Sequence, residues 1–145
     1  MKLLISLLIM ASFINIKWEP DFENAKKIAK ENHKLILLNF SGSDWCGPCI
    51  QFRKEYLESD AFSKMADENL VLVNADFPRK KKNQPADGVV KRNEALADKY
   101  NKEGNFPFTL LLDANGKVLK TWKGKPEESV DKYIDEVQAI CLKNK

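Results

Sequence analysis

Residues 35–49 read LILLNFSGSDWCGPC, and this stretch decides the fold. Leu35 to Phe40 is a short apolar run with no alternation, the pattern of a strand buried on both faces. Ser41-Gly42-Ser43-Asp44 is rich in turn formers and leads directly into Trp45-Cys46-Gly47-Pro48-Cys49. From Cys49 a helical pattern continues through Phe52, Tyr56 and Leu57 and breaks near Ser59-Asp60. Strand, turn and helix in direct succession mark the centre of an α/β arrangement.

The flanks extend that pattern. Upstream, Phe22, Ala25, Ile28 and Ala29 recur at helical spacing, which predicts a helix over 21–32 opened by Pro20 and Asp21. Downstream come a short helical piece (61–67) and a second buried strand, LVLVNA (70–75). Residues 77–88 hold Pro78, Pro85, Gly88 and the run Arg79-Lys80-Lys81-Lys82, and read as a loop. Val89 to Tyr100 returns to helix. FTLLLD (108–113) and KVLKTW (117–122) flank Ala114-Asn115-Gly116, whose Asn-Gly pair signals a hairpin turn. A last helix is predicted from about Pro126 to Leu142, with Glu127 and Glu128 near its positive end. The fold class expected is α/β, with helices on both faces of one sheet.

The whole chain has 145 residues, the size of one domain. A charged fraction of 31% beside 43% hydrophobic residues fits a packed globular chain rather than a disordered one. A net charge of +3 gives no case for nucleic acid. Three cysteines and the lone His33 do not make a four-ligand zinc site, so no metal is expected. Lys2 followed by the apolar run 3–16 reads as a secretory signal, too short for a spanning helix of roughly 17–25 residues. An uncleaved anchor or a buried first helix is the other reading of the same run. The division expected is a signal peptide over 1–16 and one domain over 17–145.

Cys46-Gly47-Pro48-Cys49 carries the chemistry. A cysteine at a helix start meets unpaired backbone N–H groups, which stabilise a thiolate and lower its pKa from about 8.5. Cys46 is therefore the expected nucleophile. Cys49, one turn inward, is placed to resolve a mixed disulfide. Pro48 has no N–H to lose in a first helical turn. Half of a metal site is the competing reading, but only Cys141 and His33 remain as ligands, at unrelated spacing.

Trp45 to Cys49 matches the active-site pentapeptide of the thioredoxin superfamily residue for residue, and the chain resembles that family over about residues 18–142. Asn105-Phe106-Pro107-Phe108 falls where the family carries its cis-proline, and Asn115-Gly116-Lys117 matches the following hairpin turn. The sequence 41–46 looks more like exported bacterial members than the cytosolic one. The resemblance implies a thioredoxin-like mixed sheet and a thiol–disulfide oxidoreductase that reduces protein disulfides in the periplasm or cell envelope. It implies no cofactor, a membrane electron donor as partner, and a monomer. A disulfide isomerase, a dedicated reductase of one target such as apocytochrome c, and a redox-silent binding module are the alternatives. Phe106 and Pro107 would shape the substrate groove, while Trp45, Gly47 and Pro48 tune the dithiol.

Three features depart from the family, one being that the thioredoxin lysine near the site has no match in the second strand, LVLVNAD (70–76). Asn39 stands where thioredoxin has a buried aspartate that accepts a proton from the second cysteine, and an amide cannot do this. Asp44 or a water is left for that role. The stretch between Asp76 and Pro107 is also longer than in plain thioredoxin and contains the basic run, which reads as a solvated loop. Cys141 falls on an apolar helical face with Tyr133, Ile134 and Val137, as an inert buried thiol would.

Overall fold

The computed structural model describes residues 16–144, so the expected signal segment over 1–16 lies, except for Ile16, outside the described residues. Helix α1 (Phe22–Asn32) precedes strand β1 (Leu35–Ser41), which leads to helix α2 (Gly47–Phe52) and a π-helical turn, Arg53–Leu57. Helix α3 (Asp60–Asn69) precedes β2 (Leu70–Asp76), and a 3-10 turn at Lys81–Asn83 precedes α4 (Asp87–Tyr100). The hairpin β3 (Phe108–Leu112) and β4 (Val118–Lys123) and the helix α5 (Val130–Lys143) complete the chain.

The four strands lie in the order β2-β1-β3-β4, with β1 parallel to β2 and antiparallel to β3. Because side chains alternate along each strand, β1 sends Leu35 and Leu37 to one core and Ile36, Leu38 and Phe40 to the other. The first core packs Phe52, Leu57, Phe62, Tyr133 and Val137 against the sheet, from α2, the π turn, α3 and α5. The second is closed by Phe22, Ala25 and Ala29 of α1, with Leu96 and Ala97 of α4 packed against it. Helices thus cover both faces, as the unbroken apolar strands require. The outer edge of β2 is met by residues 18–19: Trp18 bridges Leu72, and the Glu19 N–H donates to the Leu72 carbonyl at 2.7 Å. Among the described residues no helix is long and apolar enough to cross a membrane.

Two boundaries differ from the sequence expectation. Helix α5 starts at Val130 rather than near Pro126, because Ser129 caps it by accepting from the Lys132 N–H. The buried Tyr56 hydroxyl is within hydrogen-bond distance of the carbonyls of Pro126 and Glu128, and ties down the segment before that cap. The loop 77–88 is also more ordered than its composition implies, with its 3-10 turn and an α4 that begins at Asp87. The hairpin turn rests on Gly116 at φ +85°, where the Asp113 carboxylate accepts from the N–H groups of Asn115 and Lys117.

Candidate active site

The end of β1 sets the site. After Ser41 the chain turns through 42–45, and the N–H groups of both Trp45 and Cys46 return to the Gly42 carbonyl. Cys46 then takes the N-cap position of α2, and its sulfur accepts from the Cys49 N–H at 3.3 Å. Pro48 lies in the first turn, where no helical N–H is lost. Cys46 and Cys49 form a disulfide with their Cα atoms 5.2 Å apart. Both sulfur-bearing residues are buried, while Gly47, Pro48 and Ile50 are exposed beside them.

Trp45 and the strand entrance at Phe106 frame the pair. The Phe106–Pro107 peptide is cis, and the Phe106 ring meets the Trp45 indole edge-on at 5.4 Å. The indole N–H donates to the Phe77 carbonyl at 2.7 Å. The indole also lies against Gly42, where an added Cβ would stand 2.2 Å from its Cε2 atom. Gly42 is therefore needed for contact and not only for the turn that its sequence context announces.

Asn39 is buried on the face of β1 that α2 covers, two residues beyond Leu37. Its neighbours in register are Asn74 on β2 and Thr109 on β3, so three polar side chains form one row across the sheet. The Asn39 amide N–H donates to Asn74 Oδ1 at 2.9 Å, and the Thr109 hydroxyl donates to Asn39 Oδ1 at 3.0 Å. The row continues to Ser41, whose hydroxyl lies 3.3 Å from Asn74 Oδ1 and 3.1 Å from Asp76 Oδ1. Every group in it is neutral until Asp76. Composition and spacing do not reveal this row; the one signal was an asparagine at equivalent places in two otherwise apolar strands.

Asp44 does not turn toward the dithiol. Its carboxylate accepts from the backbone N–H groups of Arg79 (2.9 Å) and Lys80 (3.0 Å) and from the Asn83 amide (2.9 Å). The Arg79 N–H foremost holds its pKa below the ordinary aspartate value, so the group is a poor proton acceptor. The basic run thus packs against the active-site loop. The Arg79 guanidinium lies 3.8 Å from the Trp45 ring centroid. His33 sits apart, closing α1 with a left-handed backbone (φ 53°). Cys141 is buried in the core under α5.

The comparisons with known proteins agree with this geometry. A family model described as a thioredoxin-like domain matches residues 22–138. The chain is 37% identical over 125 residues to the disulfide bond reductase DsbH of Chlamydia pneumoniae, which covers 86% of this chain and 72% of that protein. It is 36% identical over 99 residues to the thioredoxin-related protein DsbJ of the same organism, but spans only 27% of that longer protein. A solved structure titled DsbH oxidoreductase superposes with a TM-score of 0.80 at 32% identity, covering 100% of this chain and 95% of its own. Matched over most of its length in sequence and all of it in structure, this chain belongs to the thioredoxin-like family.

Proposed function

We propose that this thiol–disulfide oxidoreductase works as a reductase of protein disulfides in the cell envelope, with Cys46 as nucleophile and Cys49 as resolving thiol. One observation carries the assignment of roles: Cys46 is the N-cap of α2, and its sulfur accepts the Cys49 N–H. A thiolate at that sulfur gains the same N–H and the positive end of the helix.

In the reduced protein the Cys46 thiolate attacks one sulfur of the substrate disulfide. The other substrate sulfur leaves as a thiolate and takes up a proton, and a Cys46–substrate mixed disulfide remains. Cys49 loses its proton and attacks the Cys46 sulfur, which frees the second substrate thiol. Two electrons pass to the substrate, and the Cys46–Cys49 disulfide seen in this structure is the product. The cis Phe106–Pro107 segment and Trp45 form the groove that receives the substrate chain. No organic cofactor is needed, because the dithiol holds both electrons, and a membrane electron donor returns them. The likeness to disulfide bond reductase DsbH supports the reducing direction, and the apolar run 3–16 supports export.

Insulin-disulfide reduction by the wild type, its loss in Cys46→Ser and a trapped mixed disulfide in Cys49→Ser are the expected results. Iodoacetamide should label Cys46 first in the reduced protein; faster labelling of Cys49 would reverse the roles. Fractionation of the native host should find the protein in the envelope. A cytosolic protein that retains Met1 would overturn the localisation.

A further inference from the structure

The run Arg79-Lys80-Lys81-Lys82 is held in a way that solvation alone does not explain. Four adjacent cations would ordinarily spread into water. Here Asp44 takes the backbone N–H groups of Arg79 and Lys80 together with the Asn83 amide, and the Trp45 indole takes the Phe77 carbonyl. These tethers use backbone atoms of 77–80, the Trp45 indole and the Asn83 side chain, and none of them uses a cationic side chain. Among the described residues none of the four forms an ion pair within 4.0 Å, and all four residues are exposed. The Arg79 guanidinium stacks on Trp45 by one face, so its N–H edge stays available for the paired hydrogen bonds that a carboxylate accepts. A shallow groove lined by Trp45, Phe77, Pro78, Arg79, Gly104 and Phe106 runs beside it. Trp45 precedes Cys46 and Phe106 precedes the cis-proline, so that groove adjoins the dithiol.

We propose that the Arg79–Lys82 loop is a substrate subsite that binds aspartate and glutamate side chains flanking the target disulfide. This rests on the reductase reading above and names its substrate class: polypeptides whose disulfide lies in acidic sequence. A cysteine presented to Cys46 along the groove carries its neighbours past the Arg79 fork, next to which the chain continues through three exposed lysines. The charge is complementary: among the described residues that line the groove none is a carboxylate, and Asp44 beside it is already occupied by its three donors.

The test uses the pre-reduced full chain and three synthetic peptides with one intramolecular disulfide loop, flanked by Asp and Glu, by Asn and Gln, or by Lys. Single-turnover rates followed by tryptophan fluorescence should favour the acidic over the neutral peptide by about tenfold at low salt, with the lysine peptide slowest. That preference should shrink at high salt as the charges are screened. Replacing Arg79, Lys80, Lys81 and Lys82 together by Gln should bring the acidic-to-neutral ratio to about one. The tethers to Asp44 survive this change, because they use the backbone and Asn83, and circular dichroism would verify the fold. Arg79→Lys should retain part of the preference, since it keeps the charge but not the fork. Equal rates on acidic and neutral peptides would overturn the subsite and leave the reductase standing. Reduction of none of the peptides would overturn both. Equal peptide rates with binding to phosphatidylglycerol vesicles, lost in the four-Gln protein, would assign the loop to a membrane surface instead.

Discussion

Asn39→Asp asks whether the buried row under α2 controls release of the mixed disulfide. The new carboxylate would keep the Thr109 hydroxyl as a donor at the present Oδ1 position, 3.0 Å away. Its second oxygen would face Asn74 Oδ1, now 2.9 Å from the Asn39 amide nitrogen, acceptor against acceptor. Rotation of the Asn74 amide relieves this by presenting its NH2, and the Ser41 hydroxyl still has Asp76 Oδ1 at 3.1 Å. The carboxylate would thus gain two neutral donors at a site where Asn39 is only 4% exposed. Burial with incomplete compensation should cost about 1–3 kcal/mol at neutral pH. The same burial raises the aspartate pKa above its ordinary value of about 3.9. A raised folded-state pKa fixes the sign: the variant matches the wild type best below about pH 4 and loses stability as pH rises through the folded value. Against this, an internal base at position 39, which the resemblance to thioredoxin places toward Cys49, should speed Cys49 deprotonation. A positioned base typically gives about 10²–10⁴-fold, and with water already serving, a gain of about tenfold near pH 7 is expected. The assay is single-turnover release from the Cys46–peptide mixed disulfide across pH, paired with thermal melts. Superimposable pH–rate profiles would mean that position 39 does not serve the dithiol, whatever its effect on the melts.

Gly42→Ala should push the Trp45 indole from its seat, since the new Cβ would lie 2.2 Å from Cε2; a loss of about 1–3 kcal/mol and a red-shifted tryptophan emission are expected. Tyr133 is fully buried among Phe52, Tyr56, Phe62 and Trp122, and its hydroxyl has no hydrogen-bond partner among the described residues. Tyr133→Phe should therefore leave stability unchanged or raise it by about 1 kcal/mol, read as a higher midpoint in urea. The Asp44 pKa is lowered, so its contribution to holding the 79–83 loop is present above about pH 4 and lost as pH falls through the folded value. The amide resonances of Arg79 and Lys80 should titrate together with a midpoint below 3.8, and Asp44→Ala should speed tryptic cleavage within 79–82.

The sheet and its helices are legible because burial on both faces writes itself into the strands as apolar runs. Leu35–Phe40, Leu70–Ala75 and Phe108–Leu112 are apolar but for Asn39, Asn74 and Thr109, which satisfy one another across the sheet. The sequence pattern extends the last helix back to Pro126, because a pattern does not record that Tyr56, about seventy positions away, holds the carbonyls of Pro126 and Glu128. The same limit governs the site. Cys46, Cys49 and Pro107 are local signals, whereas the Asn74–Asn39–Thr109 row exists only through strand register. Asp44 could be noted as a carboxylate near the dithiol, yet its partners lie 35 to 39 positions along the chain.

Those two non-local features bear differently on function. A carboxylate at position 39, facing Cys49 as the resemblance to thioredoxin implies, would act alike on every substrate, because its field and its proton would reach Cys49 whatever is bound to Cys46. Cations on an exposed rim act only on chains that pass them, and their effect depends on what those chains carry. At the first place this chain has two amides and a hydroxyl, each satisfied by its neighbour, and none carries a charge. At the second it has an arginine stacked on Trp45 and three exposed lysines, with Asp44 turned aside to hold their backbone. On the proposed subsite, charge near this active site discriminates among substrates rather than serving the dithiol itself, and the peptide series and Asn39→Asp probe those two roles separately.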